Sequence, residues 1–348
     1  MLANPLSLSL HGLGQQMQRG QLKRREFITL LGGAAAAWPF AARAQEPGRT
    51  YRLGFLIPSP RDSAPALALF DELRLHGFVE GQNLVVIPGG FDVPNDMVAE
   101  RAAALVKAAP DVVIAGPEIP VQALQAATRT LPIVAMVEDM VLAGLVPSLA
   151  HPGGNTTGIS LLSPELDGKR QDILIATVPN ARRIAAMFDS NATPPHHLEM
   201  LRQGARSRGI ELSAFGVGKP EEIGSAMDAA KSSGCEALNF LATPLFSIPG
   251  SQNNRVVLER IAAVRLPAIF QWPEAAEAGA LIAYGPRFTD LYRLRARIAI
   301  KILGGTKPAD IPVEQPDRFE LVINLQAAKA IGHEVPAGLV LRANKVIE

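Results

Sequence analysis

Seven stretches of this 348-residue chain place polar or small residues where a short apolar run ends: Pro58–Asp62, Gly116–Pro120, Glu138–Val141, Asp189–Thr193, Ala242–Phe246, Gln271–Glu274 and Tyr284–Pro286. Ser59-Pro60, Gly116-Pro117 and Thr243-Pro244 are small-rich turns, each ahead of a helical stretch. Free amides at a helix start favour a carboxylate or another anion, although ordinary capping is the competing reading for any one loop. Glu118, Glu138, Asp139 and Asp189 add carboxylates to the same loops, where one of them could hold an ammonium group. For a single acid the alternative is a solvated position or a helix cap. Trp272, Tyr284, Phe246 and Phe91 are aromatics in a chain with only 5% of them. A flat side chain at the mouth of a cleft can stack on a bound molecule, with core packing the default for Phe246 and Phe91.

Signals for catalysis are poor. His11, His76, His151 and His333 are scattered without metal-ligand spacing, and His196-His197 after Pro194-Pro195 reads as a surface pair. The stretch "GVGKPEE" (216–222) lacks the full phosphate-loop pattern, and no nucleophile elbow or dinucleotide fingerprint follows a strand. Cys235 opens a strand with no neighbouring base and reads as a buried structural thiol. No catalytic residue, metal ligand or cofactor is therefore predicted.

The loops are positioned by an alternation of short β-branched runs with Ala/Leu-rich helical stretches. Strands are expected at 51–57, 83–87, 111–115 and 132–137, then again at 183–188, 210–214, 236–241, 267–270 and 280–283. In "APALALFDELRLHG" (64–77), Leu67, Phe70 and Leu73 stand at helical spacing and Gly77 supplies a helix stop. Further helices are expected at 96–108, 120–130, 197–208 and 289–303. Such alternation implies parallel sheets covered by helices, whose ligands sit beyond the carboxyl ends of the strands. "DVVIAGP" leading to "RTLPIVAM" is echoed by "EALNFLATP" leading to "VRLPAIF", which agrees with two successive units of one design. The boundary falls near "HPGGNTTGISLLSP" (151–164), around a short strand at 157–161. Near the end a short segment at 311–313, a strand at 319–323 and a terminal helix are expected. Crossings at 157–163, 284–287 and 314–318 give a first lobe of 51–160 plus 287–314 and a second of 161–286 plus 315–348.

"LKRREFITLLGGAAAAWPFAARAQ" (22–45) combines Arg24-Arg25, a short apolar core and a small-x-small site, the parts of a twin-arginine export signal cleaved after Ala44. Its apolar run is short of the roughly 20 residues a spanning helix needs, and it contains Pro39, Gly32 and Gly33. Met17 lies just upstream, so the chain's start is open between Met1 and Met17. A periplasmic location follows. The formal charge of +1, from 34 basic and 33 acidic residues, gives no reason to expect a nucleic-acid partner.

The strings "HGFVEGQNLVV", "SLAHPGGNTTGISLLSPELDGKRQDIL", "LPAIF" and "DLYRLRARIAIKILGGTKPADIPVEQPDRFELVINLQAAKAIG" together resemble the ABC-transporter substrate-binding protein family of tryptophan- and tyrosine-type binding proteins. The resemblance spans 51–348 and is most specific at 308–325. It implies a type I periplasmic binding fold in the α/β class. Two Rossmann-like, doubly wound lobes would be joined by a three-segment hinge, with a ligand clamped between them, in some members an aromatic amino acid. The chain departs from the family pattern at Gly116-Pro117-Glu118, at Glu138-Met140 around a matching Asp139, and at Phe188-Asp189-Ser190-Asn191. The ligand is therefore left open. The expected site draws Ser59, Gly116, Pro117, Glu118 and Asp139 from the first lobe and Asn191, Thr243 and Tyr284 from the second. A monomer serving an ABC permease of the inner membrane, with a small polar ligand for which an amino-acid-like molecule is one candidate, is the leading reading. An extracytoplasmic ligand-sensing subunit and, behind it, a periplasmic hydrolase or isomerase are the alternatives.

Overall fold

Runs such as Val112–Ala115 are apolar at every position because both faces of their sheet are covered by helices. The computed structural model describes residues 48–161, 163–249 and 251–348, so the export segment expected over 1–44 lies outside the described residues. The first sheet holds β1 (Tyr51–Leu56), β2 (Leu84–Val86), β3 (Val112–Ala115), β4 (Ile133–Val137) and β5 (Thr156–Ser160). All are parallel, in the order β2-β1-β3-β4-β5. Helices α1 (Ala64–Leu75), α2 (Val98–Ala108) and α3 (Glu118–Ala127) connect them. Gly77, at φ +84° just past α1, is the helix stop the sequence predicts.

Successive residues of one strand feed opposite sides of the sheet. Leu53 and Phe55 pack with Leu69 and Leu73 of α1, whereas Leu56, Val113 and Ala135 pack with Leu105 of α2 and Val121 and Leu124 of α3. Each fully buried Leu, Val or Ile contributes about 1.5–3 kcal/mol against conformational entropy, so this two-sided burial gives each sheet its own core.

A second sheet follows: β6 (Arg183–Asp189), β7 (Glu211–Val217), β8 (Leu238–Phe240), β9 (Ala268–Phe270) and β10 (Ile282–Gly285), in the order β7-β6-β8-β9-β10. That is the order of the first sheet again, and it gives the internal echo a structural basis. Its helices are α4 (Ser163–Thr177), α5 (Pro195–Arg206), α6 (Ile223–Ser232), α7 (Pro244–Ser247), α8 (Gln252–Val264) and α9 (Pro273–Glu277). Then α10 (Phe288–Leu303) returns to the first sheet and packs on α1, β3, β4 and β5.

Beyond it, Glu314 pairs with the edge of β5, accepting from Ser160 N at 3.0 Å and donating to Gly158 O at 2.8 Å. Thr157 Oγ1 donates to Ile311 O at 2.7 Å. β11 (Glu320–Asn324), α11 (Leu325–Ile331), α12 (Ala337–Val340) and β12 (Lys345–Ile347) then extend the second sheet, with β11 antiparallel to β10. The sequence reading missed α12 and β12, which are four and three residues long and too short for periodicity to show. The chain thus passes between the sheets three times, after β5, after β10 and after Glu314. Among the described residues no helix is long and apolar enough to cross a membrane.

Candidate functional site

The carboxyl ends of β1, β3 and β4 and those of β8 and β9 meet around one small cavity of about 50 Å³. From the first sheet come Pro58 and Ser59 after β1, Gly116 and Pro117 after β3, and Glu138 after β4; Thr243, Pro244, Gln271 and Trp272 come from the second. Phe288, Tyr292 and Arg295 of α10 complete the wall. Trp272 and Ile248, carried by second-sheet loops, also join the apolar core of the first, and the Trp272 ring lies 4.6 Å from Phe288. A groove of about 560 Å³ lined by Leu325, Ala328, Val340 and Leu341 lies elsewhere. It opens at the carboxyl end of β11, and because β11 is antiparallel that end is the opposite edge of the sheet.

The turn residues reach the cavity for local reasons. Gly116 carries no Cβ because one would stand 2.6 Å from Met136 O, so only glycine lets the β3 turn lie this close to β4. The Gly116-Pro117 peptide is cis, and α3 starts directly after it. Thr243 caps the short helix that follows, accepting from Leu245 N at 3.3 Å, and donates to Asp189 Oδ2 at 3.1 Å. Ser59 Oγ lies 3.4 Å from Tyr292 Oη.

Of the residues expected from sequence, Ser59, Gly116, Pro117 and Thr243 line this cavity together; Glu118, Asp139, Asn191 and Tyr284 do not. Glu118 is exposed and accepts from Gln122 Nε2 at 2.7 Å. Asp139 Oδ1 takes the amides of Val141 and Leu142, both at 2.9 Å, so it serves as a turn cap. Asn191 is exposed and donates to Gly218 O at 2.8 Å. Tyr284 stacks towards Phe319 at 6.3 Å, and its carbonyl accepts from Arg170 Nη1 at 3.3 Å.

Charge in the site sits largely on residues the sequence reading passed over. Glu138, noted there only as one loop acid among four, has a buried Oε2 without a hydrogen-bond partner. Burial first, and then the negative charge of Asp167, push its carboxyl up to about 8, against the pull of Arg170. Asp167 and Arg170, one turn apart on α4, are both buried and pair with each other; Asp167 Oδ1 also accepts from Ala242 N at 3.3 Å. This pair ties α4 to the loop after β8 and to the end of β10.

His197 is a correction. Instead of a surface imidazole it is buried on α5 with Nε2 3.3 Å from Asp167 Oδ2, an approach without hydrogen-bond angles, and burial holds its pKa below the ordinary value. The signal was its place on the apolar stripe His197, Leu198, Leu201, Ala205. The other readings stand: Cys235 is buried, Phe246 is buried against Phe240, and Phe91 packs 4.5 Å from Phe55.

Comparison with known proteins gives this geometry its context. A curated tyrosine-binding protein of Clostridioides difficile (strain R20291) is 27% identical over 282 residues, 79% of each chain. A conserved domain protein of Vibrio cholerae superposes with a TM-score of 0.73 at 25% identity, covering 86% of this chain and 99% of that one. An ABC domain in complex with L-Trp from Streptococcus pneumonia gives 0.72 at 24% identity, covering 86% and 100%, and shares the fold. Residues 77–347 match the family described as ABC transporter substrate binding protein, and the chain belongs to that family.

Proposed function

We propose that the protein is the periplasmic solute-binding component of an ABC importer, acting as a monomer that closes on a small amino-acid-like ligand and delivers it to an inner-membrane permease. The observation that carries this reading is the cavity itself, because groups from both sheets converge there at the strand ends where open parallel sheets take ligands. A ligand touching both lobes only when they meet shifts an open–closed equilibrium toward the closed form. The three passages of chain between the sheets serve as the hinge, dividing lobes at 51–160 plus 287–314 and 161–286 plus 315–348.

The relatives named for tyrosine and bound to L-Trp support an amino acid as the ligand class. Ser59, the Gly116-Pro117 turn and Thr243 supply neutral polar contacts, and Glu138, ionising as it meets a cation, accepts an ammonium group. The export signal at 22–45 supports the periplasmic assignment. Isothermal titration of ligand-stripped protein against L-amino acids tests the proposal: saturable binding to at least one is expected, and its absence across the panel would overturn it.

A further inference from the structure

We propose that Arg295 is the receptor for an anionic group on the ligand, so that the cavity selects a carboxylate-bearing solute over its uncharged analogue. This rests on the solute-binding reading above and goes beyond it by assigning the chemistry of one end of the ligand.

Arg295 is 1% exposed and lines the cavity from the inner face of α10, one turn beyond Tyr292. A guanidinium presents five donors and stays charged, so burial obliges it to find acceptors or an acid. Arg295 Nη2 donates to Ala115 O at 2.7 Å, and the group lies over the Tyr292 ring at 5.0 Å from its centroid. Its Nε has no hydrogen-bond partner, and among the described residues no carboxylate pairs with it. Each neighbouring arginine on the helix has an acid: Arg293 pairs with Asp290, and Arg297 with Glu72. Of the three arginines on α10, the one that is buried and lines the cavity is the one without a counter-charge.

Carboxylates are matched by a guanidinium fork geometrically as well as electrically, and the Ser59–Tyr292 hydroxyl pair, 3.4 Å apart, lines the same cavity with one hydrogen left to donate. Glu138 and Arg295 line the same cavity. Among the described residues they form no ion pair with each other, so an acid and a base are both left for a zwitterion.

The test compares the acid with its carboxamide for L-tyrosine, L-tryptophan, L-leucine and L-glutamine, by titration calorimetry on the full ligand-stripped protein. The wild type is expected to prefer the acid by about 10- to 100-fold, the range of a hydrogen bond to a charged group. Arg295→Met should bind acid and amide alike, while Arg295→Lys keeps part of the preference. The melting temperature of ligand-free Arg295→Met should equal or exceed that of the wild type, since an uncompensated buried charge has been removed. A purely structural arginine, needed for its bond to Ala115 O, would instead leave the variant less stable. Wild-type protein that binds an amino acid but takes its amide within about twofold would overturn this inference and leave the solute-binding function standing. An Arg295→Met variant that keeps the preference would do the same. Absence of binding by every compound would overturn both. The wild-type comparison decides even if the variant does not fold.

Discussion

Glu138→Gln isolates the electrostatics of the cavity. In the folded protein burial and Asp167 push this carboxyl up to about 8 from its ordinary value of 4.5, with Arg170 compensating in part. Between those values the folded molecule keeps a proton that the unfolded chain has released. The stability contributed by that proton is complete below about pH 4.5 and is lost as pH rises through about 8. The slope is about 1.4 kcal/mol per pH unit, so the whole span amounts to about 5 kcal/mol at most. On the proposed open–closed reading, separation of the lobes rehydrates the carboxylate and caps the loss, leaving about 1–3 kcal/mol between about pH 5.5 and 8.5. Glutamine has no proton to lose. Urea unfolding of ligand-free wild type and Glu138→Gln at both pH values reads the difference. Glu274, raised by burial, and His197, lowered by burial, titrate in both proteins and cancel. Parallel pH profiles for the two proteins would refute the reasoning.

Asp167→Asn leaves the buried Arg170 guanidinium without its acid, and a loss of about 3–5 kcal/mol in urea unfolding at unchanged m is expected. Gly285→Ala puts a Cβ 2.0 Å from Gln271 O, so the loop after β9 must shift; thermal melting should fall by several degrees, with weakened binding in calorimetry. His197→Phe concerns an imidazole whose pKa is lowered by burial and which therefore supports folding when neutral. That support is present above about pH 6.5 and is lost as pH falls toward its folded-state value, so the variant should show a shallower loss of stability on acidification than the wild type in pH-dependent unfolding.

The strands were legible because each is a short apolar run ended by turn residues, and the residues that punctuate it are the ones that reach the cavity. Ser59, Gly116, Pro117 and Thr243 were found that way. Arg295 was hidden among alternating arginines at 293, 295 and 297, which look alike as letters. Helical spacing separates them: Phe288, Leu291, Tyr292, Arg295, Ala296, Ala299 and Ile302 fall on the buried faces of α10, so the charge on that surface is the anomaly. The same test applied to Leu166, Asp167, Arg170, Ile173 and Leu174 on α4 would have exposed the buried pair. Asp139 misled because a strand-end acid and a turn cap share one sequence signature, and only the amides of Val141 and Leu142 tell them apart. β11 was expected as a strand, but its antiparallel direction depends on where the chain returns after Glu314, which no local pattern encodes.

The distribution of charge bears on closure. Glu138 and Arg295 belong to the elements around the first sheet, whereas Asp167 and Arg170 belong to the second, already paired with each other. If the lobes close as proposed, then without ligand they enclose an arginine that has no acid and a carboxyl that meets another carboxylate. On the proposed reading, a zwitterion placed between them answers both charges at once, and a solute lacking either group answers one. Moving an equilibrium from 1:99 to 99:1 takes about 5.5 kcal/mol of differential affinity, which two charge-assisted contacts formed only in the closed state can largely supply. Closure is then conditional on the ligand's charges rather than on its apolar bulk, and the wall provided by Trp272, Phe288 and Ile248 is left to discriminate by shape.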